Sequence, residues 1–177
     1  MTESAAPDGN ERACELVGRF IFHFSKLEAE LDLAIATLFD LDADSAVILT
    51  ANIDFSRKLS VVASAVRAQN ASPDQQWLIK EIDNTFSAIF QINDLRTMIA
   101  HSAFSAHAEG GVQFTRNVAR KELNRHTHVW TEGGFASEFE KMKRLERELG
   151  KVLRHIRPYK PKLDFSDPRN SQYLAIL

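Results

Sequence analysis

The residues best suited to chemistry are an arginine and a histidine five positions apart, Arg96 and His101, in the run Asp94-Leu95-Arg96-Thr97-Met98-Ile99-Ala100-His101-Ser102. An imidazole, with an unperturbed pKa of about 6.5, can accept and donate a proton near neutral pH, and a guanidinium fork matches phosphate oxygens. Such a pair fits cleavage of RNA through its own 2′-hydroxyl, in which Arg96 holds the phosphate and His101 handles protons. Five residues at about 100° each leave the two side chains roughly 140° apart on an ideal helix. A distorted helix end or a second chain must therefore bring them together. With 13 Arg and 6 His in 177 residues, chance alone supplies about 0.4 pairs at this spacing, so the spacing informs only in context. The same residues also admit a structural reading: a histidine near a helix C-terminus suits the macrodipole, and Arg96 can pair with a carboxylate such as Glu28 on a facing helix.

Other groups bear on this pair. Glu28 lies beside Leu27 and Leu31, at the edge of an apolar stripe, and is expected to be largely buried; a buried carboxylate needs a cation, and Arg57, Lys58 and Arg96 are the candidates. Asp94, Thr97 and His101 continue a row from Phe90, so Asp94 orients the imidazole only indirectly or belongs to a solvated face. His126 and His128 flank Thr127 and would point to one side of a strand, but no third metal ligand follows at a fixed spacing. Arg120 and His126, six apart, form a looser decoy in a segment that reads as irregular. His23, among Phe20, Ile21, Phe22 and Phe24, reads as a helix histidine with its hydrogen bonds satisfied, and Cys14 as a packed helix residue rather than a nucleophile. Phe114 and Trp130 could stack on bases, yet more often such residues cover a core edge.

The chain has no Gly-rich phosphate loop, no His-Glu-x-x-His, no Cys-x-x-Cys and no Gly-x-Ser-x-Gly, which removes the signatures of many enzyme classes. No metal site and no cofactor are expected. Cys14 is the only cysteine, so an internal disulfide is excluded, in keeping with a reducing compartment.

The elements that must position Arg96 and His101 are helical. Leu16, Phe20, Phe24, Leu27, Leu31, Ile35 and Leu38 form one apolar stripe, predicting a long helix from about Glu11 to Asp40 that needs a partner of similar length, either within the chain or in a second copy. Asp42 and Asp44 are cap-type residues before a short helix at about Ala46 to Asn52, and Asp54 can cap another from Phe55 to about Ala68. Ser72-Pro73-Asp74 reads as the start of a second long helix, with Ser72 as N-cap, and Leu78, Ile82, Phe86, Ile89, Ile92, Leu95 and Ile99 carry it to about Ala103. Val112 to Val118 and Thr127 to Thr131 lean towards strand and predict a small two-stranded β-hairpin, ended by Gly133-Gly134. A final amphipathic helix spans about Phe135 to Ile156, stopped by Pro158 and Pro161. The expected fold class is mainly all-α: an up-and-down helical bundle with two long helices, a short helical pair, a C-terminal helix and that hairpin. Residues 1–10 are expected to be a flexible N-terminus, 11–157 the helical domain, and 158–177 a tail that is disordered or docks through Phe165, Tyr173, Leu174 and Ile176.

A formal net charge of −2 conceals an asymmetry, because residues 1–112 sum to −8 and residues 113–162 to +7. The basic segment is a solvated face, a complement to the acidic half, or a surface for nucleic acid. No stretch has the roughly 20 apolar residues of a membrane helix, and the polar, acidic start does not read as a signal peptide, so a cytoplasmic protein without membrane contact is expected.

In its order of elements, with an arginine and a histidine closing a long helix, the chain resembles the HEPN family (higher eukaryotes and prokaryotes nucleotide-binding domains). The resemblance covers about residues 15–156, including Phe24 to Glu28 and the Phe-x-Arg-Lys-Leu piece at Phe55 to Leu59; Thr97 stands where Asn is typical and Ser102 where Gly is typical. It implies a metal-independent endoribonuclease in which two chains pair so that both Arg96/His101 sets line one cleft, as in toxin–antitoxin or defence systems. Implied partners are a second copy, RNA and an antitoxin-type protein. The alternative is a non-catalytic helical module that binds RNA, a nucleotide or a protein partner.

Overall fold

The computed structural model describes residues 9–158 apart from 71, 73, 74 and 121, and excludes the side chains of 118–123. The start of the expected flexible N-terminus, and the tail residues Phe165, Tyr173, Leu174 and Ile176, lie outside the described residues. The chain is mostly helical: α1 (Gly9–Phe39), α2 (Ala43–Thr50), α3 (Phe55–Gln69), α4 (Gln76–Ala100) and α5 (Glu132–Leu153), with strands β1 (Ala103–Ala106), β2 (Val112–Arg120) and β3 (Glu122–Trp130) between the last two helices. None of the described helices is long and apolar enough to cross a membrane.

Every residue of the predicted α1 stripe is buried. This face packs against α3, α4 and α5, which surround it and supply its partner surface within the chain. The helix ends at Asp40, which takes a left-handed φ of 52° while the Leu41 N–H bonds the Ala36 carbonyl, a closing turn that short polar side chains tolerate. Asp42 then caps α2 through its carboxylate to the Ser45 N–H, so this helix starts three residues earlier than the sequence suggested, with Asp44 inside its first turn. Asp54 caps α3 in the same way, accepting from the Arg57 N–H. The long helix after it departs from expectation at its start. Its N-cap is Gln75, without a side-chain cap bond, and the Ser72 hydroxyl meets the Gln75 side chain instead; Pro73 and Asp74 lie outside the described residues.

The expected two-stranded hairpin is instead a three-stranded antiparallel sheet of order β1-β2-β3, because the chain turns into β1 directly after α4. Val112 and Phe114 are fully buried, and Phe114, Trp130, Phe135 and Phe20 meet in edge and tilted contacts that fix the sheet to α1 and α5. The β1–β2 turn carries Gly110 and Gly111, both at φ 88°. At Gly111 a Cβ would fall 2.1 Å from the Trp130 carbonyl oxygen, so glycine is required by contact as well as by conformation. Gly133-Gly134 does not end the sheet region: both glycines lie in the first turn of α5, which Thr131 caps through its hydroxyl to the Gly134 N–H.

Candidate functional site

Arg96 and His101 sit in the last turns of α4, where the helix hands over to β1. His101 is the C-cap, exposed, with its N–H on the Thr97 carbonyl at 3.2 Å. The next residue completes the ending, since the Ser102 hydroxyl donates to the Met98 carbonyl at 2.7 Å and satisfies one of the carbonyls a helix end leaves open. The α-helical pattern runs to Ala100, and His101 leaves it as the C-cap at φ −110° and ψ 12°.

Arg96 is half-buried on the other side, where α4 meets α1 and the start of α3. Its guanidinium carbon lies 5.6 Å from the centre of the Phe24 ring, within cation–π range, and Phe24 in turn packs on Phe55 with ring centres 4.6 Å apart. One turn earlier on α4, the Asn93 amide donates to the Ser56 hydroxyl at 3.0 Å. Arg96 is thus positioned by an aromatic pair and flanked by a small polar contact.

The cation for Glu28 is Lys58. Its ammonium lies 3.0 Å from Glu28 and 2.7 Å from Asp32, while Arg57 is held by Asp54 at 3.1 Å. Burial is distributed otherwise than expected. Glu28 and Asp32 are about one-third exposed (37% and 35%), and the buried member is Lys58, whose side chain is only 5% exposed. Burial acts to lower the Lys58 pKa, but hydrogen bonds to Asp32 and Glu28 outweigh it and hold the ammonium above its ordinary value. Asp32, one helical turn beyond Glu28, was missed by sequence reasoning; its i+4 position on the same edge of α1 was the available signal. With both carboxylates on Lys58, Arg96 has no acidic partner within 4.0 Å among the described residues.

Asp94 is exposed and Thr97 half-buried; Thr97 reaches His101 through its backbone carbonyl alone. Arg96 and Glu28 thus lie on the side of α4 that meets α1 and α3, while Asp94 and His101 are exposed.

The remaining candidates resolve as follows. Arg120 and His126 lie in strands rather than in an irregular segment, with His126 opposite Arg116 in the β2–β3 register and His128 opposite Phe114. The two histidines share the face of Phe114 but are exposed, and no group of three metal-ligating residues occurs among the described residues. His23 is not satisfied: its Nδ1 is buried without a hydrogen-bond partner, with the ring between Phe22 and Phe139. Burial, followed by the cations of Lys143, Lys26 and Arg19, holds its pKa below the ordinary value. Cys14 is exposed rather than packed. No family model matches the chain, and neither a curated protein nor a solved structure matches it.

Proposed function

We propose that the chain is a HEPN-type helical protein, an up-and-down bundle, that acts on RNA as a metal-independent endoribonuclease through Arg96 and His101. The observation that carries this reading is the unpaired state of Arg96. A half-buried guanidinium with no carboxylate, held against an aromatic face, is a cation reserved for an external anion, and a phosphodiester fits its fork. The exposed imidazole of His101 at the end of the same helix supplies the proton acceptor and donor.

Because Arg96 is turned onto Phe24 while His101 is exposed at the helix end, the reading requires a second copy to complete each site. Support for a homodimer face along α4 comes from its exposed row, where Phe90 is an uncovered aromatic beside Asp94 and His101. Arg96 of one chain and His101 of the other then flank one phosphate. Exposed Val47, Ile48 and Leu49 on α2 favour a second reading, a non-catalytic module that engages a protein partner, which would include one of antitoxin type.

The test is RNA cleavage by the wild type, Arg96→Ala and His101→Ala, with and without EDTA. Each substitution should cost at least about a hundredfold while the far-ultraviolet circular dichroism is retained, and EDTA should have no effect. Cleavage that persists in both variants, or disappears with EDTA, removes the mechanism; a stable monomer at micromolar concentration by sedimentation removes the shared site. Intact dimers that bind RNA without cutting it would transfer the assignment to the binding module.

A further inference from the structure

Some 25 residues of helix, roughly 37 Å at 1.5 Å per residue, separate the Arg96 end of α4 from its N-terminus, where a different set of groups converges. There the C-terminal ends of α3 and α5 meet the start of α4 around a cleft of about 460 Å³ lined by Gln69, Asn70, Gln75, Arg154, His155 and Arg157, with Pro158 at its edge. That volume lies in the range of small-molecule sites, about 300–1,000 Å³. Among the described residues no carboxylate lines it. Arg154 and Arg157 are exposed and make no ion pair among the described residues.

The cleft is also built. The Gln69 side chain clamps the backbone of Arg157 from both sides, donating to its carbonyl at 2.6 Å and accepting from its N–H at 3.1 Å, which fixes the segment after α5 to the end of α3. Asn70 is buried and spends its amide N–H on the Val66 carbonyl at 2.8 Å, leaving its own oxygen as an acceptor. Gln75 accepts from Ser72 at 2.9 Å, leaving its NH₂ as a donor. A helix C-terminus favours cations, which accounts for arginines at the end of α5. Beside them the Asn70 oxygen and the Gln75 NH₂ remain available to a ligand.

Arg154 and His155 also line an adjoining cleft of about 240 Å³, which holds Trp77, Leu78, Glu81, Lys151 and Val152. Trp77 is 64% exposed, an indole face offered to solvent at the start of a helix whose other apolar residues are largely inward. Among the described residues Glu81 is the carboxylate lining either cleft, and a carboxylate accepts from the exocyclic amine of adenine, guanine or cytosine, an amine that uracil lacks, its base donor being the ring N3–H.

We propose that these joined clefts bind a nucleotide, with its phosphate on Arg154, His155 and Arg157 and its base stacked on Trp77, amides of the first cleft holding the sugar. The ligand is a free nucleotide or the 5′-phosphorylated end of an RNA strand, which present the same chemistry. The site is independent of the Arg96/His101 reading and stands or falls separately from it.

The test uses the full chain and isothermal titration calorimetry with AMP, UMP, adenosine, inorganic phosphate, and hexa-adenylate with and without a 5′-phosphate. AMP should bind more tightly than adenosine, phosphate or UMP. A 5′-phosphorylated hexamer that exceeds AMP identifies the strand end as the ligand, and one that does not identifies the free nucleotide. Arg154→Gln/Arg157→Gln should weaken AMP binding at least tenfold, and Trp77→Leu by about tenfold, the loss expected for one stacked base; both alter exposed side chains, and a melting curve confirms each fold. Unchanged affinity in the double arginine variant or in Trp77→Leu, or no binding of any probe at millimolar concentration, overturns the proposal.

Discussion

Removing Lys58 should destabilise the protein less than removing the two carboxylates it holds. The reason is where each charge sits. Lys58 has only 5% of its side chain exposed, whereas Glu28 and Asp32 retain 37% and 35%. In Lys58→Met the apolar stem is replaced by one of similar size and the ammonium's desolvation penalty disappears. The two carboxylates turn to solvent, and each lost pair is worth about 0–1 kcal/mol at such exposure, so the net loss is at most about 2 kcal/mol. Glu28→Ala/Asp32→Ala strands a buried ammonium, for which about 3–5 kcal/mol is typical, offset by less than about 1 kcal/mol of helix propensity gained. Urea unfolding at pH 7, followed by circular dichroism, measures both, and the slope with denaturant should not change. The double variant should also melt roughly 6–20 °C lower than the wild type. If Lys58→Met loses more than Glu28→Ala/Asp32→Ala, the assignment of burial to the lysine is wrong.

Two further predictions concern positions outside the candidate site. Gly111→Ala should cost about 3 kcal/mol or more, since φ is 88° and the new Cβ meets the Trp130 carbonyl, whereas Gly110→Ala, at the same φ but facing open space, should cost about 1–2 kcal/mol; equal losses in thermal melts would discard the Trp130 contact as the cause. His23 is held below its ordinary pKa, so the unfolded chain takes up its proton first as pH falls. Its contribution is fully present above about 6.5 and is lost on acidification through the window between that value and the lowered folded one. Urea midpoints at pH 7.5 and 5.5 should therefore diverge less in His23→Gln than in the wild type, and an identical difference in both would exclude His23 from the pH response.

How far the sequence reveals these features depends on the range of the interactions that decide them. Apolar period places α1, α4 and α5 because burial of one face is a local pattern, and Asp42, Asp54 and Thr131 cap their helices through bonds to N–H groups three residues away. The third strand was not legible. Ala103–Ala106 is too short and too small in its side chains to announce itself, and it becomes a strand by pairing with Val112 to Thr115. The cation for Glu28 was equally undecided between Arg57, Lys58 and Arg96. Helix phase selects it: Arg57 is taken by Asp54 within its own helix, Arg96 faces Phe24, and Lys58 alone directs its stem under the α1 edge where Glu28 and Asp32 follow each other by one turn.

The charge asymmetry between the two parts of the chain can now be assigned. If the basic segment served mainly as a complement to the acidic half, ion pairs would cross between α5 and the helices before it. Among the described residues the crossing pair is Arg12 with Glu132, at 2.9 Å, and its signs are the reverse: the cation comes from the acidic half. The lysines of α5 instead pair within their own helix, Lys141 with Glu138, Lys143 with Glu140 and Lys151 with Glu148, each three residues apart. Those pairs occupy Glu138, Glu140 and Glu148 with lysines rather than with the arginines of the segment. Arg144, Arg147, Arg154 and Arg157 are exposed and make no ion pair among the described residues, and all lie in or just beyond α5. An excess of guanidinium groups over ammonium groups is the composition suited to planar, bidentate oxyanions, and it reaches the cleft beside Trp77. Arg154 and Arg157 are therefore directed outward, at the opposite end of α4 from Arg96.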